Sequence, residues 1–172
     1  VDADVPVLKT RPSARSTASP PPAAPAPAPR KPVYVGIDLG TSSCRAVAID
    51  EKGELLVQAG APIPLPVKSE GQVTQDPLLW WKAVSASLTQ LFKEVDPDRV
   101  ATLAVVGTSG TLLLTDAKGV PVTPALMYND ARAVAEAESL LSLASPKSGA
   151  HGASSSLAKL LWLKGKGLDR KA

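Results

Sequence analysis

The chain has 172 residues, with 19 lysines and arginines against 16 aspartates and glutamates. Residues 1–31 carry five of those cations and only Asp2 and Asp4 in opposition, so they hold the whole net charge of +3 and leave residues 32–172 neutral. A neutral body excludes a basic nucleic-acid surface, a single cysteine, Cys44, excludes an intrachain disulfide, and no apolar run approaches the roughly 20 residues of a membrane span.

The chain opens on Val1 rather than Met, as expected of a processed product or of part of a longer chain. Its first 31 residues hold eight prolines, including Pro20-Pro21-Pro22 and the alternating Pro25, Pro27 and Pro29. Such a segment buries too little apolar surface to offset the entropy of ordering it, so disorder is expected. Its Ala, Pro, Ser, Thr and Arg content, poor in acids, suits a transit-peptide remnant, which would place the protein in a chloroplast. It equally suits a low-complexity linker on a cytoplasmic protein.

From Val33 to Asp50 the sequence VYVGIDLGTSSCRAVAID alternates, breaks at Leu39-Gly40-Thr41-Ser42-Ser43, and alternates again. That pattern predicts a β-hairpin. Asp38 ends the first strand, and the turn is rich in small residues and hydroxyls. Gly40 permits close backbone approach, while amides and hydroxyls of Thr41 and Ser42 suit phosphate oxygens. Asp38 could then hold a metal ion, directly or through water. The plain alternative is a hairpin turn made by Gly40 and fixed locally by Asp38. There is no Gly-Lys-Ser/Thr of a Walker loop.

Glu51-Lys52-Gly53 predicts a turn and Glu54–Gln58 a third short strand. Pro62, Pro64 and Pro66 keep the next stretch extended and out of a central strand position. Asp76 is placed to cap, and Pro77 to begin, an amphipathic helix reaching about Lys93. Its predicted inner stripe is Leu78, Trp81, Val84, Leu88, Leu91 and Phe92. Trp80 and Trp81 serve either as core filler or as a stacking platform, and Asp96-Pro97 ends the helix. Val100–Val106 is continuously apolar, as in a buried central strand. After the small-residue turn Gly107-Thr108-Ser109-Gly110, a strand is expected at Thr111–Thr115, and Asp116–Gly119 forms another turn. Asn129-Asp130 would cap a helix from about Ala131, striped by Val134, Ala137 or Glu138, Leu141 and Ala144. A last helix is expected at Ser155–Lys164, stopped by Gly165. Cys44 reads as a small buried hydrophobe. The single histidine, His151, has no second ligand for zinc and no Gly-x-Ser-x-Gly nucleophile. The order β-β-β-α-β-β-α-α argues for a mixed α/β domain.

Several blocks together are specific. Val35-Gly36-Ile37-Asp38-Leu39-Gly40-Thr41-Ser42 resembles the phosphate-binding opening of the FGGY carbohydrate kinase family. Gln75-Asp76-Pro77 with Trp80-Trp81 resembles the helix start of that family. Thr108-Ser109-Gly110, Leu113–Asp116, Gly119, Pro121, Pro124-Ala125, Asn129-Asp130 and Arg132 are similar to its sugar-binding half, and Ser156–Leu163 to a later helix. The resemblance covers about residues 33–164. It implies a ribonuclease-H-like fold of the actin, hexokinase and Hsp70 superfamily, here an incomplete N-terminal domain with a mixed sheet flanked by helices. It further implies phosphoryl transfer from ATP with Mg²⁺ to a sugar hydroxyl. By residue, Asp38 would orient Mg²⁺, Gly40, Thr41 and Ser42 would hold the transferring phosphate, and Ser109, Gly110, Asn129 and Asp130 would line the sugar site. Plain alternatives remain for Asp130, a helix cap, and for Ser109, a turn residue.

Xylulokinases of the family usually carry Gly-Gln-x-His, and glycerol kinases Gln-Arg-Glu, where this chain has Thr108-Ser109-Gly110-Thr111. That turn, with Tyr128-Asn129-Asp130, is closer to the plant and cyanobacterial branch of D-ribulose or D-xylulose kinases. The catalytic aspartate and the adenine-binding lobe of the family are expected beyond Ala172, so the chain alone is expected to show at most trace kinase activity. The alternative is a truncated, non-catalytic module that keeps a sugar or phosphate pocket or an interaction surface. A small-molecule sugar is the expected partner, with neither nucleic acid nor membrane. An isolated lobe is expected to bare apolar surface along the Leu157–Trp162 helix.

Overall fold

The computed structural model describes residues 30–168. The tail expected to be disordered therefore falls largely outside the described residues. Its last two members are tied down: Arg30 pairs with Asp96, and the carbonyl of Lys31 accepts from Arg99 Nε at 3.0 Å.

Strands β1 (Val33–Leu39), β2 (Ser43–Ile49) and β3 (Leu55–Pro62) form an antiparallel meander. Strand β6 (Val100–Gly107) returns parallel to β1, giving the sheet order β3-β2-β1-β6. Helix α1 (Pro77–Leu91) makes the crossover and lies over β2 and β3. A helix can sit close there because the facing side chains are small: Ala46, Ala48 and Ala59 on the sheet, Ala83 and Ser87 on the helix, all buried. Val33, Val35, Ile37, Cys44, Ile63 and Leu91 complete the core. Each of the larger ones contributes about 1.5–3 kcal/mol by leaving water.

The inner face of α1 keeps Val84, Leu88, Leu91 and Phe92 of the expected stripe on the core but departs from it at the helix start. Pro77, Ala83, Ser87 and Leu91 face the core, whereas Leu78 and Trp81 are exposed. Burial follows the closest approach to the sheet rather than side-chain size. Its start is as expected, with Asp76 accepting from the Leu78 amide at 2.9 Å and Pro77 in the first turn. Trp80 packs on the core, as the filler option had it.

A second sheet, unforeseen, has the order β4-β5-β7, with β4 at Val67–Ser69, β5 at Gln72–Gln75 and β7 at Ala125–Leu126. Glu70 and Gly71, both at positive φ (43° and 80°), turn β4 into β5, the mirror-image turn that matches hairpin twist. The strand expected at Thr111–Thr115 is reduced to isolated bridges, Leu112 to Leu126 and Thr115 to Pro121. Helix α2 (Val134–Leu140) starts three residues later than expected. It has no side-chain cap, because its N-cap position is Ala133; Asp130, the expected cap, lies three residues earlier and is engaged elsewhere. Ala137 and Leu140 face inward against helix α3 (Ser156–Gly165), while Val134 and Leu141 are exposed. Ser155 caps α3 through the Ala158 amide at 3.1 Å. The continuous apolar run of β6 is not a buried central strand: among the described residues it is the sheet edge, and almost all of it is exposed.

Candidate functional site

Parallel pairing places Leu39 of β1 beside Gly107 of β6. The two turns that follow, residues 40–42 and 108–110, therefore leave the same end of the sheet side by side. The carboxyl ends of parallel strands are where open α/β sheets take their ligands. A cavity of about 160 Å³ lies at this junction, lined by Leu39, Gly40, Trp80, Thr108, Thr111 and Met127 among others.

The first turn is held by its carbonyls. Ser43 O accepts from Gly40 N at 3.0 Å and Ser42 O from Ile63 N at 2.8 Å. Thr41 O accepts from the Gln75 side chain at 3.0 Å. Among the described residues the amides of Thr41 and Ser42 have no main-chain acceptor. A turn whose Thr41 and Ser42 carbonyls are drawn inward leaves the N–H groups of those residues as an available polar edge, and such an edge suits an anion. Gly40 has a part inside the turn as well. Its amide is spent inside the turn, and a Cβ there would lie 3.1 Å from Ser43 O. A side chain there would crowd the turn itself, and Gly40 also lines the cavity.

Gln75 organises this region, and its side chain was overlooked in the sequence because it reads there only as the residue before a helix cap. It is buried in β5. Its Nε2 donates to Thr41 O at 3.0 Å and to Pro64 O at 2.6 Å, and its Oε1 accepts from Trp80 Nε1 at 2.6 Å. One amide thus ties the turn, the β3–β4 link and α1 together.

Asp38 is exposed on the sheet face opposite α1, opposite Arg45 on β2 and beside Val106 on β6. It lines a shallow depression with Gly36, Arg45 and Gln58, separate from the cavity at the junction. Its carboxylate and the turn hydroxyls are hard oxygen donors, the kind Mg²⁺ prefers.

On the second side, Ser109 and Asn129 are exposed. Gly110 sits at φ +75°, a conformation that favours glycine. Asp130, expected against the sugar, is instead fully buried, and its oxygens are used within the chain. Oδ2 accepts from Val73 N at 2.7 Å and Arg132 Nη2 at 2.7 Å, and Oδ1 from Arg132 Nε at 2.9 Å. Burial alone would push this carboxyl up; the Arg132 guanidinium and the Val73 and Arg132 amides outweigh it and hold it below the usual carboxylate value. Arg132 lies over the Trp162 ring at 4.9 Å. Lys159, also missed, is fully buried, and its Nζ donates to Gly110 O at 2.8 Å and Met127 O at 2.6 Å. Burial pushes its ammonium below the ordinary lysine value; Asp130 raises it and Arg132 lowers it further. No local pattern signals this residue, since a lysine inside an amphipathic helix normally marks the solvent face.

Comparison with known proteins gives the family and the fold. Residues 33–170 match the FGGY family of carbohydrate kinases, N-terminal domain. The chain is similar to the xylulose kinase of Streptomyces coelicolor, 34% identical over 110 residues, covering 64% of this chain and 22% of that protein. It is also similar to the xylulose kinase of Escherichia coli (32% over 108 residues, 60% and 22%) and to the apulose kinase of Pectobacterium atrosepticum (29% over 103 residues, 59% and 21%). The chain thus spans about a fifth of the length of these relatives. Among solved structures, the Brucella ovis xylulose kinase superposes with a TM-score of 0.70 at 25% identity, covering 80% of this chain and 30% of that one. The Lactobacillus acidophilus gluconate kinase superposes at 0.71 and 21% identity, covering 83% and 30%, a likeness of fold.

Proposed function

The chain belongs to the FGGY family of carbohydrate kinases through its N-terminal domain, and from that premise we propose that it forms the N-terminal part of an enzyme moving the γ-phosphoryl group of ATP to a hydroxyl of a small sugar. The acceptor is a ketopentose, D-ribulose or D-xylulose. The observation that carries this is the pairing of Leu39 with Gly107, which sets a turn with free amides beside a second turn across a small cavity. Phosphoryl transfer asks the protein mainly for positioning and charge neutralisation, and two fixed turns from one sheet supply the first of these.

In this scheme the Thr41 and Ser42 amides and hydroxyls hold phosphate oxygens, and Gly40 shapes their turn. Asp38 would hold Mg²⁺, which when bound neutralises phosphate charge. Ser109, Gly110 and Asn129 face the sugar. Asp130 acts from behind, by fixing β5 and Arg132. The general base comes from sequence outside these 172 residues. The short Thr108–Thr111 turn leaves the room a long side chain would take, which favours a substrate held through backbone and small hydroxyls.

The test is steady-state phosphorylation of D-ribulose and D-xylulose by the full-length protein and by its Asp38→Ala variant. Loss of a charge-positioning group at a transferring phosphate lowers kcat by on the order of 10²-fold or more. Turnover and Mg-ATP affinity unchanged in the variant would remove Asp38 from the site. Absence of transfer to either ketopentose by the unaltered protein would overturn the substrate assignment.

A further inference from the structure

Lys159 lies in the middle of α3 and is fully buried. Lysine is almost never fully buried without a partner, and an ammonium leaves water only where strong acceptors replace it. Here the replacements are main-chain carbonyls, Gly110 O and Met127 O. They belong to two segments, the turn after β6 and the residue after β7, whose main chains meet next to this point, among the described residues, only at the Leu112–Leu126 bridge, so Lys159 adds a second tie just past that bridge. Bonds from a cation to a neutral acceptor are shorter and stronger than neutral ones, and the 2.6 Å and 2.8 Å distances fit that class.

The neighbouring carboxylate does not explain the cation. Both oxygens of Asp130 are occupied by Arg132 and by the Val73 amide, and among the described residues the Asp130 ion pair is with Arg132. Filling space does not explain it either, because an apolar side chain of equal volume does that at no electrostatic cost. What a cation adds is a fixed direction for two carbonyls. Turn types differ in the orientation of their central peptide, and Gly110, at φ +75°, has the freedom to reorient. A charge under the turn selects one orientation.

We propose that Lys159 is the positioning residue of the sugar side. By gripping the Gly110 and Met127 carbonyls together, it sets the spacing between Ser109 on one segment and Asn129 on the other. This rests on the assignment of those two segments to the acceptor sugar. Lys159 touches neither substrate; it acts through the two segments it joins.

The test compares KM for sugar and for ATP in the full-length protein and in Lys159→Met, which keeps length and loses charge. Misplacing a binding group by about 1 Å costs up to about a hundredfold, so the sugar KM is expected to rise by about tenfold or more while the ATP KM stays within about twofold. A sugar KM within about twofold of the original overturns the proposal, as does an equal rise in both constants, the mark of a merely loosened domain. If Lys159→Met does not accumulate as folded protein, Lys159→Arg decides. It keeps the charge and alters the reach, and a raised sugar KM at constant ATP KM supports positioning, whereas no change overturns it. Failure of the unaltered protein to phosphorylate any sugar would instead count against the proposed function, since Lys159 is judged only where activity exists.

Discussion

Asp130 shows how one side chain can be placed in a site by its sequence context and given another task by the fold. Next to Asn129 and ahead of a helical stretch, it offered itself as a cap or as a sugar ligand. In the structure it is the anchor between β5 and Arg132, with no lone pair left to offer. Its folded-state carboxyl is held below the ordinary value of 3.8. A depressed carboxylate stabilises the fold fully above the unfolded value and loses that contribution as pH falls through the folded one. Denaturant titrations should therefore show stability level near neutrality and falling below about pH 4. Asp130→Asn should flatten part of that acid limb. It should also cost about 3–5 kcal/mol at pH 7, because it strands the Arg132 guanidinium in a partly buried place. An acid limb identical in the variant would show that other carboxylates carry it.

At the scale of elements, Gln75 is the joint. Three elements meet on its side-chain amide, and two of its partners are main-chain carbonyls, of Thr41 and Pro64. Gln75→Leu should destabilise the domain by about 2–4 kcal/mol, since each stranded polar group costs about 1–3 kcal/mol. It should also raise the KM for ATP more than that for sugar, because Thr41 loses its tether. Equal shifts in both constants would reduce Gln75 to general stability. The elements that could be read from sequence were those with local signatures. The β1–β2 hairpin has strict alternation around a small-residue turn, α1 has Asp76-Pro77, and α3 has Ser155 at its start. The β4-β5-β7 sheet had no such signature. Its strands are two to four residues long, and β5 pairs with β7 only through Thr74 with Leu126 and Gln75 with Ala125. Such pairing is decided by tertiary contact rather than by periodicity. The inward face of α1 was misjudged at its start for a related reason. Periodicity ranked Leu78 and Trp81 as core, but the alanines of β2 and β3 drew the Ala83–Ser87 face inward.

For the molecule as a whole, the unexpected quantity is bare apolar surface. It was anticipated on α3, and Leu157 and Leu160 are indeed about 40% exposed, but the larger area lies elsewhere. Trp81 is 72% exposed and Val105 63%, on the two walls of an apolar groove of about 700 Å³ between α1, β6 and the Leu113–Pro121 loop. Beside it runs the edge of β6, unpaired among the described residues. Exposed apolar patches and free strand edges promote association. The 172-residue chain by itself should bind the dye ANS and elute above its monomer mass at micromolar concentration. Val105→Lys should lower both signals, whereas a strictly monomeric, dye-silent chain would mean that this groove is covered in solution.

The pairing of β1 with β6 also bears on the order in which the molecule comes together. The first turn belongs to a hairpin whose outermost pair is Tyr34 with Ile49, and hairpins close in about 1–10 μs. The second turn reaches its neighbour only after Val33 has found Val100 across the whole meander and α1. Loop-closure entropy must be met before a pairing of that separation is rewarded, and parallel pairings of long range are slow for this reason. The two halves of the site are thus born at different times. The hairpin of the phosphate half is a local product of the chain, its ties to Ile63 and Gln75 come later, and the sugar half exists only once the body has folded around it.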